Sequence, residues 1–449
     1  MAPIINEYNS EGVDSSTLEG TGRGGLLSKG YLRDEPLETH LRDGEEPVIL
    51  RSNGKKGVVR SAVGSEERER IAPGDGYRAF ALATDSRLLI VVGDSGDGDW
   101  STSVPLSEVE VVERSDGVLA SEVVVTTAGD VEWYFPCRGD LGPMVEYLDA
   151  ASLAWIAVER RLDAARETVA KADRLVRSRM YDDAIEAIRE AMGETDAARE
   201  HERELRADGV PAAGARIERT EERIDEVRLR ALEGRAAHAI DSAEESWRDG
   251  AYEEAHEAYG RAHDDYEEAL STHADDPEIA DRLRTKLDRV ERNVAALERA
   301  PVESAEDAHE QARDADDLRE RGDRLEFALD RYRTALELDW GRSAKRFRGD
   351  PDDIRARVDV VARELVETRR RFAAQRVQRG DDCRDAGRLA QAEACYRDAY
   401  DALVDVVPVA RELVPRAHDA VTDHCEAVEE RLRRLETTDD QTPIPSGSH

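Results

Sequence analysis

The chain has 449 residues, of which 101 are Asp or Glu and 65 are Lys or Arg, leaving a formal charge of −36. The excess is spread out, −14 in residues 1–150 and −22 in the rest, so it belongs to the whole surface and not to an acidic tail. Such a surface repels nucleic acid and anionic lipid, which need concentrated Lys and Arg, and no apolar run approaches the roughly 18 residues of a membrane span.

Residues 1–35 are rich in Gly, Ser and acidic groups without apolar periodicity, and are expected to form a disordered arm. Gly20-Thr21-Gly22-Arg23-Gly24-Gly25 has the glycine content of a phosphate loop. It lacks the flanking strand, the Gly-Lys-Ser/Thr and the following helix, so it reads as linker.

From about 40 the period changes to two. The expected strands are Val48–Arg51, Val58–Ala62, Tyr77–Thr84, Arg87–Val92, Trp100–Val104, Val109–Glu113, Leu119–Thr127 and Val131–Phe135, each bounded by Gly, Asp, Ser or Asn. Asp94 to Asp99 is acidic like a calcium loop, but its flanks are strands and a closing Glu is missing, so a solvated hairpin loop is expected. A helix then opens near Leu141, with Asp140 as cap and Pro143 in the first turn.

The segment Ala79-Phe-Ala-Leu-Ala-Thr84-Asp85-Ser-Arg87-Leu-Leu-Ile-Val-Val, with Ser103 to Glu113 after it, resembles bacterial and archaeal PH-like (GRAM-related) domains over residues 36–150. Thr84, Asp85 and Arg87 stand where that family has them. The resemblance implies a small β-barrel capped by a helix, acting as a binding module for phosphoinositides or peptides. A lipid site would need a basic pocket between the first strands, and Arg51, Lys55, Lys56 and Arg60 are the candidate residues there. Glu66, Glu67 and Glu69 follow at once and argue for a solvated hairpin. The carboxylate-rich composition, with only six lysines (Lys29, Lys55, Lys56, Lys171, Lys286, Lys345), resembles the proteome of salt-in halophilic archaea. Charge repulsion there is screened over about 3 Å at 1 M salt.

Met144, Leu148, Ala151, Trp155, Val158, Leu162, Ala165, Val169, Ala172 and Val176 advance by steps of 4 and 3. This is a coiled-coil stripe, so one helix should run from the β-domain to a turn near Met180. Residues 151–436 then read as all-α, with breaks at Gly209–Gly214, Ala274–Pro277, Ala300–Pro301 and Gly349–Pro351, and residues 437–449 as a disordered tail.

A large–small frame recurs in this region. Tyr181, Ala184, Ile188 and Ala191 repeat as Tyr252, Ala255, Tyr259 and Ala262, as Leu325, Ala328, Tyr332 and Ala335, and as Leu389, Ala392, Tyr396 and Ala399. A turn is expected just before each copy, and a bulky residue needs a small one opposite if two helices are to approach closely. Small residues at Ala172, Ala243 and Gly380 fit the facing helix. The hairpins resemble tetratricopeptide repeats, although copies fall about twice as far apart as the 34 residues or so of a true array.

Other residue patterns carry less. Glu253/His256 and Glu306/His309 have the Glu-x-x-His spacing of a di-iron bundle, which a Glu-rich chain also produces by chance. Cys137, Cys383, Cys395 and Cys425 fall in no Cys-x-x-Cys pair and read as reduced cytoplasmic thiols, with Cys383 and Cys395 as core residues. Arg342, Lys345, Arg346 and Arg348, and Arg369–Arg371 with Arg376, read as counter-charges to neighbouring carboxylates. No nucleophile elbow, zinc spacing or signal peptide is legible.

The fold class expected is α+β: a PH-like β-barrel with a capping helix, then an elongated all-α TPR-like, coiled-coil helical array. The function expected is a non-catalytic interaction or scaffold protein of the cytoplasm, with a protein partner, no nucleic acid and no cofactor or metal. The alternatives are a peripheral membrane adaptor and a helical metal-binding protein. Oligomeric state is not legible.

Overall fold

Strands β4 (Ala79–Thr84) and β5 (Arg87–Val92) are buried at every position, and the N-terminal architecture is arranged to cover both their faces. The computed structural model describes residues 3–8, 13–25, 29–116, 121–339 and 346–439, with side chains as far as Leu435. Leu119, Trp340, Arg342, Lys345 and most of the expected tail lie outside the described residues. The chain forms two units, Met1–Arg235 and Ala236–His449, dividing within a helix and not at 150/151.

In the first unit, β1 (Pro47–Asn53), β4, β5 and β6 (Trp100–Pro105) pair antiparallel in the order β1-β4-β5-β6. A second antiparallel sheet contains β2 (Val58–Ala62), β3 (Arg68–Ile71), β7 (Val109–Asp116), β8 (Ser121–Thr127) and β9 (Val131–Cys137), in the order β3-β2-β9-β8-β7. The expected barrel is therefore not closed. Pro105, which has no N–H to give a ladder, and a 3-10 turn at Leu106–Glu108 separate β6 from β7. Strand β3 was not expected, because an exposed Arg68-Glu69-Arg70 run carries no apolar signal.

One face of β4 and β5 (Ala79, Ala81, Ala83, Leu88, Ile90, Val92) joins the main core. The other face (Phe80, Leu82, Leu89, Val91) packs under Leu32 and Leu37, with Val13, Leu18 and Tyr31 against it. The expected disordered arm is thus corrected: its apolar residues cover this second face. Ile5 of α1 (Ile4–Tyr8) is fully buried, and α2 (Ser15–Leu18) is capped by the Asp14 side chain. The Asp99 carboxylate accepts from the backbone N–H groups of Arg33, Asp34 and Asp94 at 3.0, 2.7 and 2.8 Å. The Arg33 guanidinium meets Asp94 at 2.7 Å. The loop expected to be solvated is therefore a clasp on the N-terminal segment.

The tip of the β4–β5 hairpin is buried and charged. Arg87 donates to both Glu45 oxygens at 2.7 and 2.8 Å, and the Thr84 hydroxyl donates to Glu45 at 2.7 Å. Asp85 is 1 % exposed. Burial pushes its pKa up to about 6.

Helix α3 (Gly142–Arg177) runs unbroken through the expected stripe, and the Asp140 carboxylate accepts from the Gly142 N–H at 3.0 Å. It turns into α4 (Tyr181–Leu205), followed by α5 (Pro211–Arg248). Ala198, Leu205, Val210, Ala213 and Ile217 share one core with the β-strands. The first hairpin thus belongs with the sheets.

The second unit contains α6 (Tyr252–Thr272), α7 (Pro277–Leu297), α8 (Ala300–Asp314), α9 (Leu318–Glu337), α10 (Pro351–Asp385), α11 (Leu389–Leu413) and α12 (Pro415–Asp439). Tyr259, Tyr332 and Tyr396 of the large–small frame are fully buried, as are their alanines. Turns before three copies share one geometry: Met180 N–H donates to Leu175 C=O, Ala251 to Ser246 and Arg388 to Cys383. The preceding residues Arg179, Gly250 and Gly387 have φ of 61°, 80° and 74°. This is a left-handed helix C-cap, used three times. The third copy departs from the expectation. Its helix starts at Leu318, capped by Asp317, so Leu325 sits well inside α9 and not just after a turn.

Candidate functional site

An open cleft of about 800 Å³ lies between α3 and α5 in the first unit. Helix α3 contributes Glu159, Arg166, Asp173, Arg174 and Arg177, and helix α5 contributes Arg216, Arg219 and Arg223. Helical spacing explains both sets, since residues three, four or seven apart share a face. The apolar face of α5 (Ile217, Ile224, Val227) is buried, which leaves its arginines along the margin. Val169, Ala170 and Thr220 complete the lining. The Thr220 hydroxyl donates back to the Arg216 carbonyl at 3.0 Å.

Six arginines and two carboxylates line this cleft, a local charge of +4 on a chain of −36. Glu159 joins the two helices by meeting Arg216 of α5 and, at 3.9 Å, Arg166 of α3. Asp173, 6 % exposed, does the same with Arg177 of α3 and, at 2.7 Å, Arg230 of α5. Arg216 also lies over the Trp155 ring at 5.6 Å. Asp163 and Glu226 take Arg166 and Arg223 at 2.8 and 2.6 Å. Arg174 and Arg219 have no carboxylate partner among the described residues. Arg219 donates only to the Ala215 carbonyl, at 2.8 Å. Guanidinium groups in such a setting bind planar or tetrahedral oxyanions through paired N–H bonds.

The four candidate residues near β1 and β2 have separate surroundings. Arg51 donates to the Asp140 carbonyl at 3.0 Å. Lys55 and Lys56 are exposed in the β1–β2 loop, where their carbonyls accept from Arg70 at 2.8 and 2.9 Å. The Arg60 guanidinium lies over the Trp133 ring at 5.6 Å and its residue pairs with Glu69 across the ladder. Arg51 and Lys56 both flank Cys137, whose thiol burial pushes up to about 11.

The two Glu-x-x-His steps have other partners. Glu253 accepts from the Asp339 N–H at 3.1 Å and His256 packs on Phe347. Glu306 meets Arg357 at 2.5 Å, and His309 meets Glu364 at 2.9 Å. Among the described residues one group has metal-ligand spacing, His263, Asp264 and Glu267, with both carboxylates exposed. The cysteines are free thiols. The later arginines act as counter-charges: Arg348 meets Glu298 at 3.1 Å, Arg369 is buried between Asp323 and Glu326 at 2.9 and 2.8 Å, and Arg376 meets Asp398 at 3.1 Å. No helix is long and apolar enough to cross a membrane among the described residues.

No family model and no curated protein matches the chain. Solved structures similar at a low level include the following three. A circular tandem repeat protein with a novel repeat topology shares 17 % identity, with 66 % of this chain and 67 % of that one covered, at a TM-score of 0.16. A computationally designed self-assembling cyclic homooligomer shares 16 %, with 65 % and 98 % covered, at 0.12. BtubC (BKLC) from P. vanneervenii shares 15 %, with 65 % and 96 % covered, at 0.11. Likeness at these scores carries no argument about this chain.

The cleft was absent from the sequence-level candidates. Its signal was there: Arg216, Arg219, Arg223 and Arg230 recur at helical spacing beside the Ile217–Ile224 stripe. The facing arginines come from α3, some forty residues earlier, and only the packing of α3 beside α5 joins the two sets.

Proposed function

We propose that this is a non-catalytic interaction protein that holds an anionic partner in the cleft between α3 and α5. The observation that carries the reading is the +4 lining on a chain of −36, because a local excess of guanidinium groups on a surface that is acidic on average makes this cleft a favoured place for anions. The N-terminal sheets with α3 are read as PH-like, on Thr84, Asp85 and Arg87, and the large–small hairpins as tetratricopeptide-like. Both readings point to binding and not to chemistry. The partner is proposed to be protein and not nucleic acid, since the rest of the surface opposes a polyphosphate backbone. The composition supports work at high salt, where long-range steering is screened and contact pairs at the guanidinium groups do the holding.

A second reading, attachment to an anionic membrane surface, is supported by Lys55 and Lys56, exposed in the β1–β2 loop, and by Arg60, which lies over the Trp133 ring. Liposome flotation separates the two, since the interaction protein stays in solution. The cleft reading is tested by titrating the chain with oligoglutamate, polyphosphate and oligolysine at fixed ionic strength. Binding of an anion that Arg219→Glu weakens supports it, and no binding by any anion ends it.

A further inference from the structure

We infer that the occupant of the cleft is an extended acidic segment of a partner protein, its carboxylates set against Arg174 and Arg219. This rests on the anionic-partner reading and names the anion. Three observations lead to it.

The first is what the cleft already binds. Glu159 and Asp173 are carboxylates, and each is held by one arginine from each helix. They lie about 21 Å apart along α3 at 1.5 Å per residue. Arg174 and Arg219 lack such a guest.

The second is length. Glu159 to Arg177 spans about 27 Å of helix, the reach of about eight extended residues. One phosphate group would engage two or three guanidinium groups and leave the rest of the cleft empty. Val169 and Ala170 give a peptide backbone an apolar bed between the charges.

The third is an internal comparison. Helix α10 repeats the α5 stripe: Leu365, Thr368 and Phe372 stand in the steps of Ile217, Thr220 and Ile224. Thr368 also lines a cleft, of about 410 Å³. At the positions of Arg216, Arg219 and Arg223 it carries Glu364, Glu367 and Arg371. Those glutamates are taken by Arg313 at 3.2 Å and Arg371 at 2.8 Å. The helical hairpin thus tolerates glutamate at both places, so packing does not demand the arginines of α5.

The test uses the full chain and a fluorescein-labelled octaglutamate peptide, followed by anisotropy. Unlabelled octaglutamate is expected to displace the probe, while pyrophosphate, a short RNA and octalysine at equal concentration are not. Arg219→Glu and Arg174→Glu are each expected to weaken binding about tenfold or more, with unchanged thermal melting. Arg363→Glu, in the other cleft, leaves it intact. Displacement by pyrophosphate or RNA would overturn the peptide claim and leave the anionic reading standing. Failure of every anion would remove both. Unweakened binding by Arg219→Glu and Arg219→Gln would place the peptide elsewhere. Concentration-dependent self-association abolished by Arg219→Glu would make the occupant a second copy of this chain.

Discussion

The indole N–H of Trp155 donates to the backbone carbonyl of Asp85 at 2.8 Å, in the buried interior. About two turns earlier on α3, the Tyr147 hydroxyl donates to the neighbouring Thr84 carbonyl at 2.7 Å. A strand hairpin closed by a two-residue turn leaves carbonyls at its tip unpaired, and α3 satisfies two of them. Trp155→Phe removes one donor and keeps an aromatic ring. It should cost about 1–3 kcal/mol, the penalty for a buried carbonyl left unpaired, read from urea unfolding of the N-terminal unit.

The same hairpin sets a pH dependence. The Asp85 carboxyl is raised from 3.8 to about 6, so the native state holds this proton more tightly than the unfolded chain. Stability is therefore lost as pH rises through that window. Glu45 acts in the opposite sense. Burial pushes it up, but hydrogen bonds from Arg87, the Arg42 N–H and the Thr84 hydroxyl outweigh this and hold it below 4.5. Its contribution is present above the usual carboxylate range and disappears on further acidification. Asp85→Asn should raise stability at pH 7 by about 1–3 kcal/mol and flatten the profile between pH 4 and 6. Denaturant midpoints across pH would show both.

Arg179 holds a left-handed conformation, φ 61°, that Gly250 and Gly387 hold in the corresponding turns. A side chain there costs about 1–2 kcal/mol that glycine avoids. Arg179→Gly should raise the melting temperature, by about 1 kcal/mol of stability, whereas Gly250→Ala should lower it.

Two helical glycines separate packing from propensity. A Cβ at Gly380 would stand 2.5 Å from the Tyr396 ring, while one at Gly260 would meet nothing within 4 Å. The Tyr396 ring has no easy escape, being fully buried with its hydroxyl donating to Asp381 at 2.6 Å. Alanine gains up to about 1 kcal/mol of helix propensity at either site. Overpacking costs about 1–3 kcal/mol at Gly380 alone. Gly260→Ala should stabilise and Gly380→Ala destabilise.

Most helices, the breaks marked by Gly or Pro near 210, 275, 300 and 350, and most strands were legible because period and punctuation are local, whereas the breaks before Leu318 and Pro415 were not read. The alanine–tyrosine frame was legible too, since close approach of helices dictates residue size on both sides. The N-terminal segment was misread for a physical reason. Strand β4, Ala79 to Thr84, is apolar at nearly every position, which means two covered faces. Its second cover is Leu32 and Leu37, set among glycines and acids whose composition alone suggests disorder. The extent of the first unit was hidden in the same way, because Ile217 shares a core with Ile5 and Val48, far apart along the chain. The cleft was illegible because Arg174 and Arg219 converge only through helix packing, and a count of charge along the chain hides a local reversal of sign.

Hydrogen exchange along the chain, with and without octaglutamate, examines the central claim most directly because it locates the ligand. Added protection confined to residues 159–177 and 216–223, and absent with octalysine, is the expected result. Protection elsewhere, or none at saturating peptide, would contradict the account.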